Sequence, residues 1–150
     1  MRITSAAGDE FQLVIVRYQF PDVHEDRWES NWLIVNGTVA AAGEKWVFTE
    51  PCVTTFELAD LADWLDELVP NGAEPSAFEF TEPNLKFTYV PSRRAVQLTL
   101  AHESAPTSMS ELERRAGVTV EFPLSVQQTE SFAAEIRQAL HEYPIRGGAA

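Results

Sequence analysis

The stretch of chain from Trp46 to Leu85 contains no lysine, arginine or histidine. It holds nine carboxylates, whereas the whole chain of 150 residues has a net charge of −12. Such a segment creates a negative field that attracts cationic partners and repels nucleic acid. We therefore interpret it first as a docking surface, and we do not expect nucleic acid as a partner. The carboxylates are Glu50, Glu57, Asp60, Asp63, Asp66, Glu67, Glu74, Glu79 and Glu82.

Cysteine and long apolar runs are also scarce. The single cysteine, Cys52, can form no internal disulfide, and no stretch reaches the ~18 apolar residues that a membrane helix needs. The first residues, MRITSAAGDEF, lack the apolar run of a secretion signal. We expect a cytoplasmic protein without a membrane partner. Hydrophobic residues at 45% and aromatic residues at 11% supply enough apolar surface for a folded core.

Motifs of catalysis and metal binding are missing as well. The sequence has no glycine-rich phosphate loop, no nucleophile elbow, no CxxC pair and no HExxH motif. His24, His102 and His141 are far apart in the sequence. His24, Glu25 and Asp26 are neighbours in a polar connection, and adjacent side chains rarely converge on one ion. We expect no metal, no cofactor and no enzyme activity. Cys52 is expected to be a small buried hydrophobic residue rather than a nucleophile.

One catalytic alternative stays open. Glu79 and Glu82 flank Phe80, and two carboxylates in a cleft are the minimum for general acid–base hydrolysis. A carboxylate-dependent hydrolase predicts that both glutamates lie around one concave pocket. In an acidic chain, however, two neighbouring glutamates also occur by chance.

The hydrophobic pattern predicts six or seven strands joined by short turns. Asn36-Gly37 is compatible with a hairpin turn or with a bulge inside a longer strand. We favour the bulge, because Ala42-Gly43-Glu44 offers a better turn. Residues 102–115 are polar, with at most one helical turn. The predicted strands are 11–20, 32–39, 45–48, 76–80, 85–90, 95–100 and 118–124.

Two segments have the caps and the apolar stripe of amphipathic helices. The capping box Thr54/Glu57 begins a helix over about 54–69, which Pro70-Asn71-Gly72 ends. Its apolar stripe includes Leu58, Leu61, Ala62, Leu65, Leu68 and Val69. The box Ser125/Gln128 begins a helix over about 126–142, with a stripe of Thr129, Phe132, Ala133, Ile136, Leu140 and Tyr143.

These helices do not alternate with the strands. The pattern therefore predicts an α+β fold with a mostly antiparallel β-sheet. We expect one domain over residues 1–150, with frayed ends at 1–8 and 146–150.

The four tryptophans have different expected places. Trp32 and Trp46 fall in strand patterns and are expected in the core. Trp64 falls at the edge of the apolar stripe of the first helix, and Trp28 lies in a charged connection. Either is a candidate interface anchor, and partial burial against a sheet edge is the alternative for both.

The order of the local motifs resembles the WapI-like immunity proteins of bacteria, from about residue 11 to residue 143. The most specific pieces are the PC-x-TT-x-EL segment that begins at Pro51 and the F-x-EPNL segment that ends at Leu85. The resemblance implies a non-enzymatic inhibitor that binds the C-terminal domain of a large secreted polymorphic toxin. It supplies no functional residues to carry over.

The resemblance and the charge agree on one hypothesis. The partner is a basic toxin domain, such as a nuclease, bound by the acidic face of the first helix. A charged helix face is usually just solvated, but here the sequence shows no lysine or arginine at i,i+4 spacing. The chain itself is expected to be a monomer or a weak dimer. The predicted partner-binding residues are Asp60, Asp63, Trp64, Asp66, Glu67, Glu79 and Glu82.

The alternative is a cytoplasmic acidic interaction module with another partner, such as a regulator. Gene neighbourhood separates the two hypotheses, because an adjacent large secreted protein with a variable C-terminus supports the immunity role.

Overall fold

The computed structural model describes residues 1–71 and 74–147, and for residues 69–71 it describes the backbone. Eight strands and three α-helices follow one another in the described residues. Short 3-10 turns lie at Glu29–Asn31, Pro91–Arg93 and His102–Ser104. The strands are β1 (Arg2–Thr4), β2 (Glu10–Tyr18), β3 (Trp32–Ala41), β4 (Glu44–Thr54), β5 (Ser76–Glu79), β6 (Leu85–Val90), β7 (Ala95–Leu100) and β8 (Val118–Pro123). The helices are α1 (Thr55–Asn71), α2 (Glu111–Ala116) and α3 (Val126–Glu142).

The strands form two antiparallel four-stranded sheets. Sheet A has the order β1-β2-β3-β4 and sheet B the order β5-β6-β7-β8, so each strand pairs with its neighbour in sequence. The predicted α+β class and antiparallel pairing are confirmed. The sequence pattern missed β1 and the division into two sheets. A strand of three residues is too short to show alternation, and sheet division depends on contacts between distant segments.

Asn36 and Gly37 lie inside the long strand β3, so the hairpin alternative is wrong. The turn lies at Ala42 and Gly43, as predicted, and both have positive φ. The bulge is not at Asn36-Gly37, which pair regularly with β4. Gly37 instead faces Phe48, because a Cβ atom there would lie 2.1 Å from the ring.

The bulge of this strand pair lies in β4. Leu33 pairs with Val53 and Val35 with Glu50, so the two residues 51 and 52 oppose the single Ile34. A second shift in register lies in β2 between Ile15 and Arg17. Bulges redirect side chains and are frequent near functional sites.

Helices α1 and α3 confirm the predicted segments. Thr54 caps α1 in the predicted box, since its Oγ1 accepts from the Glu57 N–H at 3.2 Å. Ser125 caps α3 in the same way, and its Oγ accepts from the Gln128 N–H at 3.1 Å. Helix α1 extends to Asn71, beyond the predicted end, and Gly72 of the predicted stop lies outside the described residues.

One hydrophobic cluster joins both sheets with α1 and α3. The predicted stripes face it: Leu58, Leu61, Ala62, Leu65, Thr129, Phe132, Ala133 and Ile136 are buried. Leu68, Leu140 and Tyr143 are partly buried against the cluster, and the side chain of Val69 lies outside the described residues. Full burial of a leucine or phenylalanine contributes ~1.5–3 kcal/mol, so these stripes attach the helices to the sheets.

Three expectations need correction. The amino-terminal residues do not all fray, because Ile3 of β1 is 3% exposed and pairs with Phe11. Residues 102–115 contain more than one helical turn: a 3-10 turn is followed by α2, which has its own capping box between Ser110 and Glu113. That box was visible in the sequence and was missed because a six-residue helix shows little periodicity.

The third correction concerns the expected frayed end at 146–150. Arg146 is held by its neighbours: its N–H donates to Asn31 Oδ1 at 2.9 Å, and its guanidinium lies 3.4 Å from the centre of the Tyr18 ring. Residues 148–150 lie outside the described residues. The carboxyl end is therefore attached to the fold at least as far as Arg146.

Candidate partner-binding surface

Four acidic side chains lie on the outer face of α1, where the helical spacing predicted them. They are exposed because the stripe Leu58, Leu61 and Leu65 occupies the opposite face and is buried. The four are Asp60, Asp63, Asp66 and Glu67. We call them the α1 acidic face.

The α1 acidic face has no lysine or arginine at i,i+4 spacing, but another helix supplies a counter-charge. Arg137 of α3 reaches across the helix pair, with Nη2 2.9 Å from Asp63 Oδ1 and 2.6 Å from Asp66 Oδ2. The hydrogen bonds that Arg137 donates to Asp66 and then to Asp63 raise the pKa of its guanidinium. No spacing rule within α1 could show this partner, because it is 74 residues from Asp63 in the chain.

Asp60 and Glu67 differ from these two aspartates. Within the described part of the chain, neither makes a hydrogen bond or an ion pair through its side chain. Both are exposed. Their charges are therefore available to a partner without first breaking an internal contact.

Trp64 is half-buried and its contacts are internal. The indole N–H donates to Ser76 Oγ at 3.1 Å, and the ring centre lies 6.2 Å from that of Phe78. These contacts hold α1 against β5. The role of Trp64 as an apolar anchor for a partner stays a prediction.

Trp28 is the more accessible of the two candidate anchors. Its side chain is 57% exposed, and its ring stands edge-on to Phe56 with centres 5.2 Å apart. The guanidinium of Arg27 lies 5.7 Å from the centre of the same phenylalanine ring. Because Phe56 is in the first turn of α1, this aromatic pair lies at the amino-terminal end of the helix.

Trp32 and Trp46, expected in the core, are both only partly buried. Trp46 packs against the core and donates its indole N–H to the Ser104 carbonyl at 3.0 Å. Trp32 lines a cavity at the surface.

Glu79 and Glu82 have different surroundings. Glu79 is exposed on β5 and forms an ion pair with Lys86 of β6, with 2.9 Å between Oε1 and Nζ. Glu82 is exposed in the β5–β6 connection, and no described residue forms a hydrogen bond or an ion pair with its side chain. Glu82 lines the same cavity as Trp32, whereas Glu79 does not.

This cavity, which we call the junction cavity, has a volume of about 310 Å³. Residues of sheet A, Gln19 just after β2, and residues of the connections in the second half of the chain form its wall, so it lies where the two halves meet. The lining residues are Gln19, Trp32, Glu50, Pro51, Cys52, Glu82, Asn84 and Glu103.

The electrostatics of the junction cavity follow from its three glutamates. Burial, and then the negative charge of Glu103, raise the pKa of Glu50. A backbone hydrogen bond and the side-chain amide of Asn84 lower the pKa of Glu103. Arg114 acts on both carboxyls from α2, although it forms no ion pair with either. Burial raises the pKa of Cys52 to about 12, so the thiol stays protonated.

The two specific sequence motifs meet beside this cavity. Glu57 of the PC-x-TT-x-EL segment accepts a hydrogen bond through Oε1 from the Thr81 N–H of the F-x-EPNL segment, at 2.7 Å. Asn84 of the second segment is 5% exposed and donates to Glu103 and Ser104 at 3.2 and 3.3 Å. The sequence predicted Glu82 as a partner-binding residue, placed Glu50 only among the carboxylates of the acidic segment, and did not single out Glu103. Glu50 directly precedes the first motif, which could have pointed to it. No motif or spacing in the sequence singles out Glu103.

Within residues 1–71 and 74–147, no group of three or more His, Cys, Asp or Glu side chains has an arrangement that could hold a metal ion. Over the same residues, no helix is long and apolar enough to cross a membrane.

The fold and charge define an acidic α+β protein with exposed carboxylates on one helix and around one cavity. Residues 2–144 match the model of the immunity protein WapI-like family. The chain belongs to this family, and membership implies neutralisation of a toxin. Proteins of the family are typically not enzymes, in agreement with the prediction. Comparison with the curated proteins and with the solved structures finds no match.

Proposed function

We propose that this protein binds the C-terminal domain of a large secreted polymorphic toxin inside the producing cell and neutralises it. The toxin domain is basic, with a nuclease as the leading candidate. Family membership supports the neutralising role, and the charge of −12 supports a basic partner. Charge complementarity raises the rate of association, which suits rapid capture of a toxin.

The observation that carries the proposed surface is the unpaired state of Asp60 and Glu67 on the α1 acidic face. Both are exposed and neither has an internal partner among the described residues. Asp63 and Asp66 add negative charge but share Arg137. A lysine or arginine of the toxin would therefore form its most favourable ion pairs with Asp60 and Glu67, because no existing ion pair would be displaced there.

The test is a titration against the C-terminal domain of a large secreted protein encoded next to this one, at low and at high salt. We expect tight 1:1 binding that weakens as salt rises, because salt screens exposed charges. The double change Asp60→Lys, Glu67→Lys should slow association at least about tenfold.

The matched control is the double change Asp22→Lys, Glu44→Lys, at two exposed carboxylates outside α1. It changes the net charge by the same amount and should have a much smaller effect. Equal effects of both pairs would remove the α1 acidic face from the proposal and keep the toxin-binding role. Absence of binding would favour an interaction module with another partner.

A further inference from the structure

The junction cavity is large enough to receive one side chain of a partner. Its volume of about 310 Å³ lies at the lower end of the range of small-molecule sites. The bulge in β4 contributes Pro51 and Cys52 to the wall, and the β5–β6 connection contributes Glu82 and Asn84. The cavity is therefore assembled from both specific motifs.

Its polar lining selects a cation. Glu50, Glu82 and Glu103 all line the cavity, and no described lysine or arginine nitrogen lies within 4.0 Å of their carboxylate oxygens. Arg114 influences Glu50 and Glu103 only from a greater distance. A cation entering the cavity would relieve the repulsion between Glu50 and Glu103, which now contributes to the raised pKa of Glu50.

The aromatic wall narrows the choice of cation. Trp32 is half-buried in the lining, and its indole N–H donates to no described residue. A guanidinium group stacks on an aromatic face and also donates to several carboxylates at once, whereas an ammonium group is a compact point charge. Arginine therefore fits both the aromatic ring and the three carboxylates.

We propose that the junction cavity receives an arginine side chain of the toxin domain. The source of the arginine rests on the proposed function, whereas the chemistry of the cavity does not. The site is separate from the α1 acidic face: exposed helix charges accelerate the encounter, and the cavity holds one partially desolvated charge in the complex.

The first test needs no toxin. The full chain, labelled with ¹⁵N, is titrated with N-acetyl-L-arginine methylamide, and the uncharged isostere N-acetyl-L-citrulline methylamide serves as the control probe. We expect saturable shifts of the Trp32 indole and Gln19 amide signals with the arginine probe alone. The double change Glu50→Gln, Glu82→Gln should abolish them. Equal shifts with both probes, or shifts confined to α1, would overturn the proposal.

The second test uses the toxin domain. The Glu50→Gln, Glu82→Gln variant should release the toxin at least about tenfold faster, because a charge pair that is desolvated in the complex mainly affects dissociation. The control variant is Asp22→Asn, Glu44→Gln, which removes the same charge from exposed sites. If the cavity variant binds the toxin tightly and releases it as slowly as the wild type does, the cavity proposal is refuted and the proposed function stays intact. Arginine-specific shifts without any toxin binding would support the cavity proposal and refute the proposed function.

Discussion

The carboxyl group of Glu50 is half-buried at the wall of the junction cavity, at a cost in stability. Burial and the charge of Glu103 raise its pKa, which means that the ionised carboxyl is less favourable in the folded protein than in the unfolded chain. At neutral pH the carboxyl is ionised in the unfolded chain, and folding must place it in a less favourable environment. Functional sites often retain groups that destabilise the fold.

Glu50→Gln should therefore raise the melting temperature at pH 7, by about 1 to 3 °C. The gain should shrink as pH falls through the raised pKa of Glu50 towards its ordinary value of 4.5, because the wild-type carboxyl is then protonated as well. Thermal melts from pH 4 to pH 7.5 measure this difference. Glu44→Gln, which removes an exposed charge from the β3–β4 hairpin, controls for the general relief of negative charge. An equal rise in melting temperature in both variants would contradict the claim that the burial of Glu50 destabilises the fold.

Glu57 shows how much of one side chain's role is local. Its Oε2 accepts from the Thr54 N–H at 2.9 Å, which is the predicted capping box. Its Oε1 accepts from the Thr81 N–H at 2.7 Å, 24 residues further along the chain. The spacing of Thr54 and Glu57 predicted the first contact. The second depends on where β5 ends relative to α1, which no local pattern contains.

At the scale of elements, α1 and α3 pack against each other, and Arg137 joins their exposed faces. Both aspartate partners and the arginine are substantially exposed, with side chains from 43% to 71% accessible. Exposed ion pairs contribute little, since water and salt screen them. The helix pair is therefore stabilised mainly by its buried stripes.

Arg137→Gln should lower the free energy of unfolding by less than about 1 kcal/mol. The loss should disappear in high salt, because the ion pairs are then screened in the wild type as well. Urea unfolding at two salt concentrations measures it, with Arg115→Gln, which removes an exposed i,i+4 pair of α2, as the comparison. A larger loss that persists in salt would mean that Arg137 also contributes through packing of its side-chain stem.

At the scale of the whole molecule, Asn31 links three distant parts of the chain. Its Oδ1 accepts from Thr55 Oγ1 at 2.5 Å and from the Arg146 N–H at 2.9 Å. Its Nδ2 donates to the carbonyls of Arg27 and Arg146, both at 2.7 Å. Asn31 connects the start of α1, the connection before β3 and the carboxyl-terminal segment. Its side chain is fully buried, so bulk water does not reach these hydrogen bonds.

Asn31→Ala should destabilise the fold by about 2 to 4 kcal/mol, because it leaves several buried donors and acceptors without partners. Urea unfolding measures the loss. Asn36→Ala is the matched control, since that partly exposed side chain makes one hydrogen bond, to Thr49. A loss no larger than in the control would show that the hydrogen bonds of Asn31 are replaced by water.

The sequence by itself determined the local features of this protein: the α+β class, both long helices with their caps, most strands and the concentration of carboxylates. These follow from side-chain periodicity and capping, which operate over a few residues. Only the tertiary structure decided the two sheets, the pairing of Arg137 with Asp63 and Asp66, the Asn31 bridge and the junction cavity. Each requires residues far apart in the chain to meet, and that meeting depends on how the buried faces of all the elements pack together.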